Sequence, residues 1–450
     1  MTVEKKPYPF TMERPPAEGR AAAFLSAFSD ILRASSYRPI LDLYSRITLH
    51  CSRCSTECML FEASGDPADN PCYRSSILLR IYRRHFTPRG RLLTKLTGGI
   101  ARTERDIDEM TESYYHCTAC GRCTRYCPFG IDHRLVVRLG RYVLSETGIV
   151  PKNLSASTRE QLEGPARNTS GLPLKVLRDN LSFLEEEIRE IKGVSVRFPV
   201  DVMDAEYVFF APVSDYIMEA ETLMGIACVL HEAGVSWTIA SGDFDAINYG
   251  LFYSDARLGD ILRSMVREVR RLKGRKILVG ECGHAYRSMR DFLSTYDSGE
   301  AIPVEHVLEL TSRLIEEKRI ELDPAVISER VTYHDPCNIA RSGWIVDQPR
   351  AIIRSFIRDF AEMDHAGIDN YCCGGGGGTV AVGELKQYRM EVAGRRKAEQ
   401  LRKTGAGTVI APCANCKKQI RELIAHYRLP LNLAGMHDLI FSAIKIKRTE

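Results

Sequence analysis

The chain has 450 residues, of which 44% are hydrophobic and 27% charged, with a formal net charge of +4. This composition is that of a globular protein with room for two or three domains. So small a net charge says nothing by itself about nucleic acid, and we expect no nucleic-acid partner. No apolar run is long enough to span a bilayer, so we expect no transmembrane segment.

The chain contains fifteen cysteines, a number that bears on the cellular compartment in which it works. The start of the chain, MTVEKKPYPF, has no apolar run of the kind a signal peptide needs, so we expect a cytoplasmic protein. Cytoplasmic cysteine clusters bind metal or carry out redox chemistry more often than they form disulfides. Any membrane association would then come through a partner.

The cysteine distribution predicts five parts. They are an N-terminal helical lead-in (1–50), a ferredoxin-type two-cluster module (51–150), a connector (151–200) and two related α/β domains (201–325 and 326–450). The lead-in contains the helical pattern AAAFLSAFSDILRA, and prolines and glycines mark the connector.

The segment CTACGRCTRYCPFGID has the spacing C-x2-C-x2-C-x3-C-P, typical of a chain wrapped around a [4Fe–4S] cluster. Its cysteines are Cys117, Cys120, Cys123 and Cys127. In two-cluster modules the fourth cysteine binds the other cluster. A zinc site would need only two CxxC pairs and would leave the CP ending unexplained.

The preceding motif, TLHCSRCSTECM, is incomplete. Thr48 stands where the first cysteine belongs, and Cys72 in NPCYRS is the candidate replacement. The alternative is that Cys72 is a buried apolar cysteine beside a three-iron or atypically ligated cluster. Under ligand exchange, one cluster takes Cys117, Cys120, Cys123 and Cys58, and the other takes Cys51, Cys54, Cys127 and Cys72.

The segment from Arg74 to Arg105 is rich in Arg and Lys and almost free of acidic residues. Its apolar residues recur at helical spacing. Two interpretations remain open: a solvated helix face, or a docking surface for an acidic electron-transfer partner, since opposite charge speeds encounter.

The last 250 residues contain an internal duplication. VFFAPVSDY resembles VTYHDPCNI, and KILVGECGHAYRSM resembles GTVIAPCANCKKQI; strands alternate with helices predicted over 218–233, 256–272 and 384–402. This alternation predicts a parallel sheet in each half. The predicted fold class is therefore α+β overall, with a helical module followed by a pseudo-duplicated α/β pair.

Five cysteines in the second half come from three distant segments: Cys337, Cys372, Cys373, Cys413 and Cys416. Cofactor ligands of parallel sheets lie on loops at the carboxyl ends of strands, where Cys337 and Cys413 are expected. Four thiolates suffice for zinc or a cubic cluster, so a fifth indicates a cluster with an extra or bridging ligand. When the two halves are aligned, the first half has Val213, Ala240, Ser241 and Ala285 at positions where the second half has cysteines. Only Cys282 aligns with a cysteine, Cys413.

Several neighbours of these cysteines have two interpretations. The run Gly374–Gly378 would let backbone approach sulfide and form an anion-binding nest, with Gly374 and Gly375 binding the cofactor, or it is a flexible linker. His334 would donate a proton near a substrate sulfur or is a core histidine, and Asp335 is equally ambiguous. Cys282 and His284 face the cluster or belong to the core, whereas Cys228 in MGIACVL is expected in the core.

From about residue 48 onward the sequence resembles the iron–sulfur oxidoreductases with CCG domains, including the D-type subunit of heterodisulfide reductase and related subunits of sulfate-reducer membrane complexes. The resemblance rests on the two ferredoxin-type motifs, on ASGDPADNPCYRS and IYRRHFTPRG, and on YHDPC, CCGGGGG and APCANC. It implies that the five cysteines bind a noncubane [4Fe–4S] cluster and that residues 201–325 are a degenerate CCG domain. Fully equipped members carry two such sites, so this chain more closely resembles single-site subunits that connect a membrane cytochrome or flavoprotein with a thiol or disulfide carrier.

Three functions follow. The first is a redox subunit whose two [4Fe–4S] clusters exchange electrons with a noncubane cluster that acts on a thiol or disulfide. The second is a pure electron-transfer subunit that links an electron-transfer flavoprotein, a ferredoxin or another donor to a membrane cytochrome or quinone partner. The third is a zinc-structured interaction protein. No flavin or nicotinamide is expected on this chain, because no G-x-G-x-x-G lies between a strand and a helix.

Overall fold

The computed structural model describes residues 9–14, 19–47, 51–96 and 99–447, so Thr48 lies outside the described residues. The chain divides into two compact units that alternate along the sequence. The first comprises Met1–Ala156, Leu251–Asp255 and Gly374–Arg396, and the second comprises Ser157–Gly250, Ala256–Cys373 and Lys397–Glu450. The five domain boundaries expected from the sequence stay a prediction.

The described residues before Gly193 are mainly helical. Its helices are α1 (Arg20–Arg33), α2 (Tyr37–Arg46), α3 (Met59–Ser64), α4 (Pro71–Phe86), α5 (Pro88–Leu96), α6 (Gly99–His116), α7 (Arg122–Arg125), α8 (His133–Glu146), α9 (Lys152–Glu163) and α10 (Leu174–Lys192). Short 3-10 segments cover Arg53–Glu57 and Pro67–Asp69. The helix predicted in the lead-in is present as α1, which buries Phe24 and Phe28.

Two helices that adjoin cysteine-bearing segments begin with a side-chain capping hydrogen bond. The side chain of Asn70 caps α4 by accepting the N–H of Cys72 at 2.9 Å, and Pro71 occupies the first helical position. The side chain of Asp132 caps α8 by accepting the N–H of Arg134 at 2.9 Å. Asn and Asp satisfy otherwise unpaired amides at such positions.

The first α/β half contains one parallel sheet. Its strands are β1 (Tyr207–Phe210), β2 (Trp237–Ile239), β3 (Lys276–Val279) and β4 (Val304–His306), in the order β2-β1-β3-β4. Its helices are α11 (Val213–Met218), α12 (Ala220–Glu232), α13 (Gly250–Tyr253), α14 (Asp255–Arg271), α15 (Gly283–Tyr296) and α16 (Val307–Glu316). All four residues of β1 are buried, as expected for a central parallel strand.

The second half repeats this sheet. After β5 (Glu321–Leu322) come β6 (Val331–Tyr333), β7 (Phe360–Ala361), β8 (Thr408–Ile410), β9 (Asn432–Ala434) and β10 (Ile444–Lys445). The parallel order is β7-β6-β8-β9, while β10 pairs antiparallel with β5. The α-helices are α17 (Asp347–Phe356), α18 (Lys386–Tyr388), α19 (Arg395–Thr404), α20 (Ala414–Tyr427) and α21 (Met436–Ala443). Short 3-10 segments cover Gly367–Asp369, Thr379–Ala381 and Gly383–Leu385.

The matching strand orders confirm the predicted fold class, a helical module followed by a duplicated α/β pair with parallel sheets. One predicted helix is wrong. The segment 384–402 contains α18, a π-helical turn (Arg389–Ala393) and only then α19. Backbone packing explains the widened turn, since a Cβ on Gly374 would lie 2.6 Å from the carbonyl carbon of Ala393.

Candidate metal centres

Four cysteines from the two ferredoxin-type motifs line one cavity in the first unit: Cys58, Cys117, Cys120 and Cys123. Positive φ angles at Ala119 (52°) and Gly121 (75°) turn the loop between α6 and α7. The N–H of Ala119 donates to the sulfur of Cys117 at 3.4 Å. The structure thus brings together the four residues that ligand exchange assigns to one cluster.

The electrostatics of this cavity suit an iron–sulfur cluster. Burial raises the pKa of Cys58 to about 11 and that of Cys123 well above its ordinary value. Four thiolates are therefore unfavourable here without bound cations, which iron supplies. Arg74 also lines the cavity, and its guanidinium pairs with Asp69 at 2.8 Å. The donor set fits a [4Fe–4S] cluster with a buried positive charge beside it.

Cys72 lies beside Cys54, with 3.1 Å between the sulfurs. The hydrogen bond between them lowers the pKa of Cys72 to about 7 and raises that of Cys54. The negative charge of a Cys127 thiolate also raises the pKa of Cys54, whereas Cys51 is exposed. Because Cys72 sits in the first turn of α4, the helix dipole favours its thiolate. This arrangement supports Cys72 as the replacement ligand over the apolar core alternative.

His133 is a site residue that the sequence reasoning missed. One of its ring nitrogens lies within 4.8 Å of the sulfurs of Cys54 and Cys72. Its Nδ1 pairs with Ser75 Oγ at 2.7 Å, while its buried Nε2 has no hydrogen-bond partner within the described part of the chain. Burial lowers the pKa of His133 to about 4, so the ring is neutral. The only sequence signal was its place six residues after Cys127.

The second unit brings together cysteines of the last third of the chain. The sulfurs of Cys373 and Cys416 lie 3.4 Å apart. Hydrogen bonds from Cys372 and Cys416 hold the pKa of Cys373 well below its ordinary value, and Cys416 also bonds Cys413. These four buried thiols form a continuous chain. A buried, partly ionised thiol chain is a donor set for soft metal ions such as iron.

The fifth cysteine, Cys337, follows β6 and begins a π-helical turn (Asn338–Ser342). Gly283, from the first α/β half, connects this turn to Cys413. Its N–H lies 3.5 Å from the sulfur of Cys413, and a Cβ on it would lie 3.2 Å from the Cβ of Asn338. Cys337 therefore belongs to the same group of loops at the carboxyl ends of the strands.

Two buried basic groups accompany these cysteines. A ring nitrogen of His334 lies within 4.8 Å of the sulfurs of Cys373 and Cys416. Lys397, which the sequence reasoning missed, donates to Gln400 Oε1 at 2.6 Å, and burial lowers its pKa to about 8. Its position in a charged, mostly polar helix gave no signal of burial.

The structure distinguishes between the two interpretations for three further residues. Asp335 pairs with Arg350 at 2.7 Å and accepts the N–H of Gly367 at 2.8 Å, which is a structural role. Cys282 is fully buried and hydrogen-bonds Cys413, so it faces the cysteine group. Cys228 lies in the buried face of α12, as expected for a core residue.

The glycine run packs within the first unit. A Cβ on Gly376 would lie 2.3 Å from the carbonyl oxygen of Thr118, and one on Gly377 would lie 2.4 Å from that of Cys117. Arg141 donates to the carbonyl oxygens of both Gly377 and Cys117, each at 2.7 Å. These glycines are needed for close approach to the Cys117 loop, so the linker interpretation is wrong for them. Cofactor binding by Gly374 and Gly375 stays a prediction.

The basic segment is not a uniform surface. Arg74 is buried against Asp69, and Arg80 and Arg84 pair with Asp106 of α6 at 2.9 and 2.8 Å. The acidic partners Asp106, on α6, and Asp69, in the turn before α4, lie just outside the segment, so the charge count within it did not include them. Within the described chain, no helix combines the length and hydropathy needed to cross a membrane.

Comparison with known proteins agrees with this geometry. Residues 49–131 match the 4Fe–4S dicluster domain and residues 331–421 match the cysteine-rich CCG domain. The fold and sites therefore define an iron–sulfur protein with a dicluster module and a CCG domain.

Similar proteins match over most of the sequence. The Hdr-like menaquinol oxidoreductase iron-sulfur subunit 2 of Archaeoglobus fulgidus is 28% identical over 94% of this chain and 83% of its own length. The D-type subunit of the dihydromethanophenazine:CoB–CoM heterodisulfide reductase of Methanosarcina mazei is 24% identical over 88% of this chain and 93% of its own length. The chain is thus similar to iron–sulfur subunits of heterodisulfide reductase-like oxidoreductases, and the resemblance seen in its motifs is confirmed.

Proposed function

We propose that the five cysteines of the second α/β half hold a noncubane [4Fe–4S] cluster that exchanges electrons with a thiol or disulfide substrate. The observation that carries the proposal is the buried thiol chain Cys372–Cys373–Cys416–Cys413, joined by the 3.4 Å contact between Cys373 and Cys416. Cys337 is proposed as the fifth ligand because it directly precedes Asn338, whose Cβ lies close to Gly283 beside Cys413. Five thiolates exceed what zinc or a cubic cluster needs.

Electrons would reach this site from the two [4Fe–4S] clusters of the dicluster module. The proposed ligands are the two sets of four cysteines assigned by ligand exchange. The chain that leaves Cys373 continues directly into the glycine run, whose Gly376 and Gly377 pack against Thr118 and Cys117.

The proposed reaction is the interconversion of a disulfide and two thiols. A disulfide takes up two electrons and two protons as its S–S bond breaks and yields two thiols, and thiol oxidation is the reverse. When bound, the clusters supply one-electron transfer and iron coordination of sulfur. A ring nitrogen of His334 lies within 4.8 Å of the sulfur of Cys373, and the buried Lys397 is influenced by the charge of the same thiolate; these two groups would hold a proton near a substrate sulfur.

A second candidate, electron transfer without a substrate of its own, is favoured by burial. None of the five cysteines is more than 7% exposed, so no thiol is presented at the surface. In either case the names of the relatives, which include menaquinol and dihydromethanophenazine, support a quinone-reactive membrane partner. An electron-transfer flavoprotein or a ferredoxin is the alternative donor, with the chain on the cytoplasmic side.

Electron paramagnetic resonance separates the two candidates. The anaerobically purified protein is oxidised with and without small thiols, alongside Cys373→Ala and the core control Cys228→Ala. A thiol-dependent signal that persists in Cys228→Ala and disappears in Cys373→Ala supports a substrate site. Normal electron transfer to a dye with no response to any thiol would instead leave the protein as a pure electron carrier.

A further inference from the structure

The degenerate α/β half retains one cysteine at a ligand position, Cys282. Cys282 occupies the N-cap position of α15, three residues after the end of β3. Cys413 occupies the N-cap position of α20, three residues after the end of β8. The N–H of each bonds the carbonyl oxygen two residues earlier, at 2.6 Å for Cys282 and 2.8 Å for Cys413. The two thiols therefore occupy equivalent turns at the starts of equivalent helices.

These two turns interlock. The N–H of Ala414 donates to the carbonyl oxygen of Glu281 at 2.9 Å, and that of Gly283 approaches the sulfur of Cys413 at 3.5 Å. The thiol of Cys282 hydrogen-bonds Cys413, which lowers the pKa of Cys413. The interlocked turns thus place Cys282 next to the ligand candidate Cys413. Cys282 is also 0% exposed, so bulk water cannot solvate its thiolate.

The sulfur of Cys282 has a supporting hydrogen bond of the kind that metal ligands receive. Nε2 of His284 accepts the backbone N–H of Asn248 at 3.4 Å, so the neutral ring carries its proton on Nδ1. That nitrogen lies 3.3 Å from the sulfur of Cys282. Nδ2 of the Asn415 side chain also lies 3.3 Å from this nitrogen. An N–H aimed at sulfur stabilises a thiolate and fixes its orientation.

We infer that Cys282 is a sixth sulfur of the CCG site and binds iron there, with His284 orienting it. This inference rests on the proposed cluster and adds to it that the first half, although it lacks the other ligand residues, completes the site of the second. Gly283 permits the arrangement, because a Cβ there would lie within 3.1 to 3.3 Å of Ile339 and Asn338. The contribution of Cys282 is consistent with retention of its turn beside four lost ligand positions.

The test compares Cys282→Ala and Cys282→Ser with wild type and with Cys228→Ala, which removes another buried cysteine of the same half. Each anaerobically purified full-length protein is analysed for iron and by Mössbauer and electron paramagnetic resonance spectroscopy. Both Cys282 variants are expected to lose at least one of the four irons of the CCG cluster or to change its spectrum, because a serine hydroxyl binds iron weakly. The signals of the dicluster module, unchanged in every variant, report correct folding.

Three results would overturn the inference. A wild-type cluster spectrum in both variants would make Cys282 a core residue. A change in Cys282→Ala that Cys282→Ser restores would make it a hydrogen-bond donor to Cys413. A wild-type protein with only about eight irons would remove the CCG cluster itself, and that failure of the proposed function is recognisable because it appears before any substitution.

Discussion

The protein contains two repeated parts, and in each of them one copy is complete and the other depleted. In the dicluster module, the motif at Cys117–Cys127 has all its cysteines, whereas the motif at Cys51–Cys58 lacks one. In the α/β region, the second half has five ligand candidates and the first half retains Cys282. The sheets of the two halves nevertheless have the same strand order.

The two regions differ in whether another residue replaces the missing ligand. In the dicluster module, a cysteine outside the motif, Cys72, lies 3.1 Å from Cys54 and is placed to substitute. In the α/β region no substitute fills the first copy. Its loop instead packs on the second copy and contributes Gly283, Cys282 and Glu281 to the neighbourhood of Cys413 and Lys417.

The largest expected effect separates the two α/β halves directly. Cys413→Ala should abolish the CCG cluster, with a loss of about four of about twelve irons, because Cys413 links Cys416 to Cys282. Cys228→Ala should leave the iron content unchanged, since that thiol packs within α12. Iron and sulfide analysis measures both. Equal iron contents in the two variants would contradict the distinction between an equipped and a depleted half.

The depleted ferredoxin-type motif gives the next largest effect. Cys72→Ala should cost the second cluster one to about four irons and convert any remainder to a three-iron form, because Cys72 is placed to replace the missing ligand. The spectrum of the cluster in the Cys58 cavity should not change. Wild-type iron content in Cys72→Ala would instead make Cys72 an apolar core residue.

The two α/β halves also share a buried ion pair. Glu281 of the first half lies 3.4 Å from Lys417 of the second, and it accepts the Nδ1–H and the backbone N–H of His437, each at 2.8 Å. Burial alone would raise the pKa of Glu281, but Lys417 and His437 outweigh it and lower the pKa to about 2. The carboxylate is therefore charged at neutral pH and stabilises the contact between the halves.

Glu281→Gln should destabilise the second unit by about 3 kcal/mol or more, because it leaves a buried lysine short of its main partner. Urea unfolding followed by circular dichroism measures the change. The control, Glu317→Gln, removes an exposed carboxylate that pairs with Arg313 and Arg319, and should cost less than about 1 kcal/mol. Equal costs for the two substitutions would show that the buried Glu281 carboxylate does not stabilise the contact between the halves.

The smallest effect concerns the complete ferredoxin-type motif. Arg74→Gln should lower the reduction potential of the cluster in the Cys58 cavity, because a buried positive charge favours the more negative reduced state. The expected shift is at least about 60 mV, which corresponds to about 1.4 kcal/mol for one electron. Arg74→Lys should retain most of the wild-type potential, and Arg33→Gln, at an exposed arginine, should retain all of it. A redox titration that finds no shift for Arg74→Gln would show that Arg74 does not set this potential.

Sequence patterns predicted the parallel sheets and the cysteine groups because strand alternation and cysteine spacing are local signals. The duplication even placed Cys282 opposite Cys413. The roles of His133 and Lys397 could not be predicted, since each depends on contacts with residues far along the chain. Cofactor binding by Gly374 and Gly375 stays a prediction, whereas the packing of Gly376 and Gly377 against Thr118 and Cys117 is a tertiary contact that no spacing rule reveals.

The second α/β half is expected to hold a third cluster in addition to the two of the dicluster module. Quantitative iron, sulfide and zinc analysis of the anaerobically purified full-length protein tests it most directly. We expect about twelve irons and twelve sulfides per chain and no stoichiometric zinc. About eight irons would contradict the third cluster, and zinc without sulfide would contradict the iron–sulfur assignment altogether.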